Sequence, residues 1–152
     1  MTHTEMIQII TGFLGTIGFS ILFNIRGHRL VMAAFGGFLS WALFVLLGNV
    51  IGSEPIRYFL VSVAISVYAE IMARILKTPT TTVLMTSLIP LVPGASLYYT
   101  MAYALESDIT RFVEKAISTL KLAGALALGI VITTMVVRTI NKINLLHKAK
   151  GE

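Results

Sequence analysis

The chain has 152 residues, 56% of them hydrophobic and 12% charged, about half the roughly 25% charged fraction of an average soluble domain, and its mean hydropathy is +0.86. That length excludes a multidomain soluble enzyme, and so little charge cannot keep so much apolar surface dispersed in water. The net charge of +5 is scattered between apolar runs with no aromatic-interleaved basic patch, which argues against a nucleic-acid partner and for charge that orients a chain in a lipid bilayer.

Five apolar runs approach the ~20 residues a helix needs to cross the hydrocarbon core. They are residues 7–25, 30–51, 56–76, about 81–105 and about 116–140. The expectation is therefore an all-α polytopic transmembrane bundle forming one integral membrane domain over 1–152. No Lys or Arg precedes Ile7, and no clear small-residue cleavage site follows the first run, so it reads as a retained segment rather than a signal. With five crossings and the N-terminus outside, the cytoplasmic ends receive Arg26, Arg29, Arg74, Lys77, Arg138, Lys142, Lys148 and Lys150. The outer ends receive Arg57, Arg111, Lys115 and Lys121, and this excess of cytoplasmic cations favours that orientation. A fourth segment that dips in and returns on the same side would weaken the asymmetry.

In the first two segments Gly12, Gly15 and Gly18, then Ala33/Gly37 and Gly36/Ser40, recur at helix-packing spacings, as Ala125/Gly129 do in the fifth. They suit packing within the chain or against another one. In the third segment Ser62, Ser66, Glu70 and Arg74 follow at i, i+4 along one helix face, with Tyr58 extending the stripe. A charge in hydrocarbon costs at least ~2.5–3.5 kcal/mol, so this face should meet protein or water. Two readings stay open. Glu70 and Arg74 form an intrahelical ion pair near the interface, or the stripe lines a pathway, with Glu70 a proton-coupling carboxylate and Arg74 a partner for an anionic substrate group.

The fourth segment contains Pro90, Pro93 and Gly94. Proline lacks an amide hydrogen and disfavours helix in the residue before it, while glycine admits left-handed angles, so two half-helices meeting near the midplane are expected. Unwound backbone at that depth must be buried in protein or line a cavity. The second half-helix would present free amides at Gly94, Ala95 and Ser96, beside Pro93, to a carboxylate, with Ser87 and Thr100 adding hydroxyls. A kink used only for shape is the plainer alternative.

From Asp108 to Lys121 apolar residues repeat at three and four, an amphipathic helix over about 108–121 that runs into the last segment with Ser107 or Asp108 as N-cap. One helix from Asp108 to Ile140 would be roughly 50 Å long, so its extra turns must lie on the interface, bend, or pack against protein. Tyr98, Tyr99 and Tyr103 suit an interfacial belt, and Trp41 suits packing. The chain has no cysteine, and His3, His28 and His147 lie far apart, so neither a metal site nor a cofactor is expected. No nucleophile–base pair or phosphate-binding loop points to an enzyme.

The run Ala73-Arg74, Lys77-x-Pro79, Ile89-Pro90-Leu91-Val92-Pro93-Gly94 and Leu97-Tyr98 resembles the C-terminal membrane domain of the threonine/serine exporter family, in particular its short stand-alone subunit. The resemblance is most specific between Glu70 and Tyr99. After Gly94 this chain has Ala-Ser, where the pattern is looser. What the resemblance implies is a bacterial inner-membrane exporter of small carboxylate metabolites, amino acids such as threonine and serine or dicarboxylic acids, in which this small subunit works with a larger membrane subunit. Architecture alone also asks for a partner or a homo-oligomer, since five crossings hardly make a two-repeat transporter. A non-transporting scaffold subunit and a holin-like self-assembling pore are the competing readings.

Overall fold

A computed structural model describes the backbone of residues 3–150 and the side chains of residues 3–143. The basic side chains Lys148 and Lys150 used for orientation, and His147, lie outside the described side chains. Six α-helices follow in order: α1 His3–Leu22, α2 His28–Gly48, α3 Glu54–Ile75, α4 Thr80–Leu88, α5 Gly94–Leu105 and α6 Ile109–Lys150, with a 3-10 turn Ile89–Leu91 between α4 and α5. Among the described residues there is no strand. α1, α2, α3 and α6 are each long and apolar enough to cross a membrane, and α4 with α5 forms a fifth candidate bent by 60°. The chain is a polytopic helical membrane bundle with a broken fourth segment.

Local chemistry explains the helix ends. α3 starts after Ser53 with Glu54 and Pro55 in its first turn, where a carboxylate meets the positive end of the helix and a missing amide hydrogen is harmless. Three helices end on a left-handed residue that is not glycine: Asn24, Lys77 and Ser107. In each, the next amide reaches back five residues, Ile25 N–H to Ser20 O, Thr78 N–H to Ala73 O and Asp108 N–H to Tyr103 O, at 2.9–3.1 Å. This closes the helix by satisfying its last carbonyls.

Contacts between named residues give the directions of the helices. Thr16 meets Gly37 and Gly12 meets Trp41, so α1 and α2 are antiparallel. Arg57 meets Gly48 while Tyr68 Oη donates to Met32 O at 2.7 Å, so α2 and α3 are antiparallel too. α6 is different. Ser62 sits on Gly129, and twelve residues further along each helix Arg74 Nη2 donates to Asn141 Oδ1 at 2.9 Å. α3 and α6 therefore run parallel, and the segment joining them makes a net passage from one end of the bundle to the other.

The interior is built by close approach and not by a large apolar core, as expected where lipid is as apolar as leucine. Gly36 lies under Ser87, Gly37 under Thr16 and Gly129 under Ser62; a Cβ at any of them would overlap the neighbouring hydroxyl. The buried hydroxyls are mostly satisfied by carbonyls of their own helix: Thr16 to Gly12, Ser20 to Thr16, Ser40 to Gly37 and Ser62 to Phe59, at 2.7–2.8 Å. Gly15, Gly18 and Gly124, by contrast, face open space. The apolar centre is a cluster of Tyr58, Val61, Ile65, Leu88, Leu91 and Leu122 from α3, α4, the 3-10 turn and α6.

α6 is one helix, and its surplus length has a partner. Arg111 lies over Tyr103, Lys115 over Tyr99, and Thr119 Oγ1 is 3.1 Å from Thr100 Oγ1. α5 thus runs antiparallel to the start of α6 as a helical hairpin, closed by Asp108, whose Oδ1 accepts the amide of Arg111 at 3.0 Å. None of the residues of α5 is buried.

Candidate functional site

The break begins where Pro90 enters the 3-10 turn, which buries Leu91 completely. Val92 is extended, and Pro93 sits at φ −74°, ψ 57°, the centre of an inverse γ-turn in which Gly94 N–H donates to Val92 O at 2.7 Å. Gly94 opens α5 without a positive φ, so the left-handed angle expected of it is not used; the two prolines alone redirect the chain. Leu97 N–H bonds Pro93 O at 3.0 Å, which leaves the amides of Ala95 and Ser96 without a backbone acceptor. A helix start of this kind attracts negative charge.

These amides border a cleft of about 290 Å³ lined by Pro93, Gly94, Ala95 and Ser96 together with Trp41, Glu54, Tyr58, Lys115 and Ser118. Glu54 is the first residue of α3. The end of the break thus lies beside the first turns of α3, while its start, Pro90, packs against Gly12, midway along α1. The cleft combines one cation, one carboxylate, two unpaired amides and several hydroxyls. Tyr58 is only 7% exposed, and its hydroxyl, which makes no hydrogen bond among the described residues, is not among the enclosed unsatisfied atoms. The indole Nε1 of Trp41, by contrast, is buried and unpartnered. A buried donor of this kind marks a place where a polar ligand or water completes the set.

The other residues singled out in the sequence are distributed elsewhere. Ser62 and Ser87 are fully buried, Ser62 against Gly129 and Ser87 against Gly36, with Ser87 Oγ 3.5 Å from Ala33 O. Ser66 is buried, and its hydroxyl has no partner. Thr100 Oγ1 donates to Ser96 O at 2.8 Å and meets Thr119, one turn beyond the cleft. Glu70 is half-buried and Arg74 exposed. No ion pair joins them: Arg74 reaches across to Asn141 instead. Glu70 lies twelve residues along α3 from Tyr58, roughly 18 Å at the helical rise, so the Glu70/Arg74 end and the cleft are two separate places.

Glu54, Lys115 and Ser118 escaped the sequence reading. Lys115 reads as one of the polar residues on an amphipathic helix, and only the α5–α6 hairpin brings it over the break. The signal available was the four-residue spacing of Arg111 and Lys115 opposite Tyr103 and Tyr99, which suits two antiparallel helices joined by a short turn.

A polytopic bundle interrupted by a proline-broken helix, with unpaired amides facing a small polar cleft, has the architecture of a membrane transporter. The chain matches the family model described as Threonine/Serine exporter, ThrE, over residues 8–136. It belongs to that family, and it is a membrane transporter of the threonine/serine exporter type. No curated protein and no solved structure matches it.

Proposed function

We propose that this chain is the small subunit of a bacterial inner-membrane secondary exporter, working with a larger membrane subunit and binding the carboxylate of a small metabolite at the start of α5. The observation that carries the reading is the pair of unpaired amides at Ala95 and Ser96 in one cleft with Lys115. Lys115 supplies the charge and the amides supply direction, a stronger combination for a carboxylate than either alone. Glu54 across the same cleft suits the ammonium of a zwitterion such as threonine or serine better than the second carboxylate of a diacid, which it would repel.

At the opposite end, Arg74 can exchange the neutral amide of Asn141 for a substrate carboxylate, the stronger charge-assisted partner. Glu70, half-buried one turn earlier, is the proton-coupling candidate. The cations Arg26, Arg29, Arg74 and Lys77 share that end of the bundle and favour placing it, with the C-terminus, in the cytoplasm. The scaffold reading has one feature in its favour: α5 packs mainly on α6 and offers Tyr98, Met101 and Leu105 outward, a surface on which a larger subunit could dock.

Copurification followed by flux measurement tests the proposal. A larger membrane subunit that purifies with the chain, and vesicles of the pair that move threonine, serine or a dicarboxylate, are the expected results. A chain that purifies alone and raises nonspecific permeability would overturn it in favour of a pore.

A further inference from the structure

At the end of the bundle away from the cleft, the α1–α2 turn meets the start of α4 in a pocket of about 340 Å³ lined by Arg26, Arg29, Thr78 and Thr82 among others, none of the described lining residues being acidic. Neither arginine forms an ion pair with a described residue. The first bonded amide of α4 is Thr82, to Pro79 O at 3.1 Å, so those of Thr80 and Thr81 are unpaired at the same place. A second pocket of about 480 Å³ shares Phe23, Ile25 and Thr82 with the first and adds Thr81, Met85 and Thr86; its surface is mostly apolar, the Thr86 hydroxyl being turned back to Thr82 O. The two are halves of one amphipathic groove. Its charged half lies at the end of the membrane-crossing helices, and its apolar half runs from there along the exposed side of α4, where Phe23 and Met85 are more than half exposed.

We propose that this groove holds one anionic phospholipid, with its phosphate between Arg26 and Arg29 and an acyl chain along Phe23, Ile25 and Met85. Two unpaired guanidinium groups and free helix-start amides fit a phosphodiester, which accepts several hydrogen bonds at once. A soluble anion would satisfy the charged half and leave the adjoining apolar half empty, whereas a lipid fills both. Basic pockets between membrane helices bind anionic headgroups by the same attraction. Since the groove joins the α1–α2 turn to α4, the bound lipid would brace the helix that leads to the break. Lipid binding in this groove is independent of which metabolite the cleft accepts.

The test titrates the detergent-solubilised full chain with phosphatidylglycerol, phosphatidylcholine and inorganic phosphate, reading lipid retention by native mass spectrometry and thermal stability in parallel. Phosphatidylglycerol should be retained and stabilising, and phosphatidylcholine not. The R26Q/R29Q double variant, altered at two exposed positions, should bind phosphatidylglycerol roughly tenfold more weakly or worse. Arg138→Gln, an exposed cation on α6, should leave binding unchanged, and Met85→Asn should weaken it through the apolar half. Equal retention of both lipids, or undiminished phosphatidylglycerol binding by the double variant, would overturn the proposal. So would stabilisation by inorganic phosphate as large as that by phosphatidylglycerol, since the site would then be one for a free anion.

Discussion

Ser62 of α3 occupies the space that Gly129 of α6 leaves open, and its hydroxyl turns back to Phe59 O at 2.8 Å. This contact holds together the two parallel helices between which the broken segment must pass. A Cβ on residue 129 would overlap Ser62 Oγ and come within 2.8 Å of the Phe59 carbonyl, a backbone atom that cannot step aside. Gly129→Ala should therefore destabilise the detergent-solubilised chain by about 1–3 kcal/mol, the usual effect of overpacking. Adding Ser62→Ala should recover only part of that loss. Gly124→Ala, which faces open space, should be neutral or slightly stabilising in the same melting experiment.

Ala95→Pro isolates the role of one amide. Proline is tolerated in the first turn of a helix, and the preceding residue is Gly94, the most permissive neighbour it could have. The amide it removes has no acceptor in the protein, so helix content and melting temperature should stay close to those of the parent. Substrate binding to the complex should weaken, by roughly fivefold to thirtyfold for the loss of a hydrogen bond worth ~1–2 kcal/mol. Unchanged binding would remove that amide from the site.

Tyr58→Phe makes the same separation on the other wall of the cleft. The ring packs edge-on against Phe44 with centroids 5.0 Å apart and is kept, while the deleted hydroxyl had no partner within the described residues. Stability should change by less than about 0.5 kcal/mol, with a rise in KM and little change in folded yield. A large loss of stability would mean that the hydroxyl is a structural group.

The architecture was largely legible in the sequence, because apolar runs of membrane length and a double proline are local signals. The 60° bend between α4 and α5 follows from Pro90 and Pro93 alone. What surrounds the break was not legible: it depends on α3 and α6 being parallel, a relation made by Gly129 and Asn141, which are 67 residues from their partners in the chain. For the same reason the stripe from Ser62 to Arg74 shares a helix face but not a site. It passes from a buried contact at Ser62 to an exposed arginine. Lys115 enters the cleft only through the α5–α6 hairpin, and the spacing of Arg111 and Lys115 announces that only when set against Tyr103 and Tyr99.

Arg74 and Asn141 offer a second separation of structure from transport. Arg74 is exposed, so its hydrogen bond should contribute no more than about 1 kcal/mol to stability. Asn141→Ala should leave flux intact, since it frees the guanidinium for substrate. Arg74→Gln should lower flux at low substrate concentration while the complex still assembles. Equal loss from both variants would make the pair a structural clasp.

The most direct measurement is flux through vesicles of the complex carrying Lys115→Gln or Glu54→Gln, with threonine, serine and a dicarboxylate supplied in turn. Lys115→Gln should raise KM for every carboxylate by roughly tenfold or more. Glu54→Gln should impair the amino acids and spare or improve the diacid. Fluxes and KM values that match the parent for all three substrates in the Lys115→Gln complex would contradict the assignment of this cleft as the binding site.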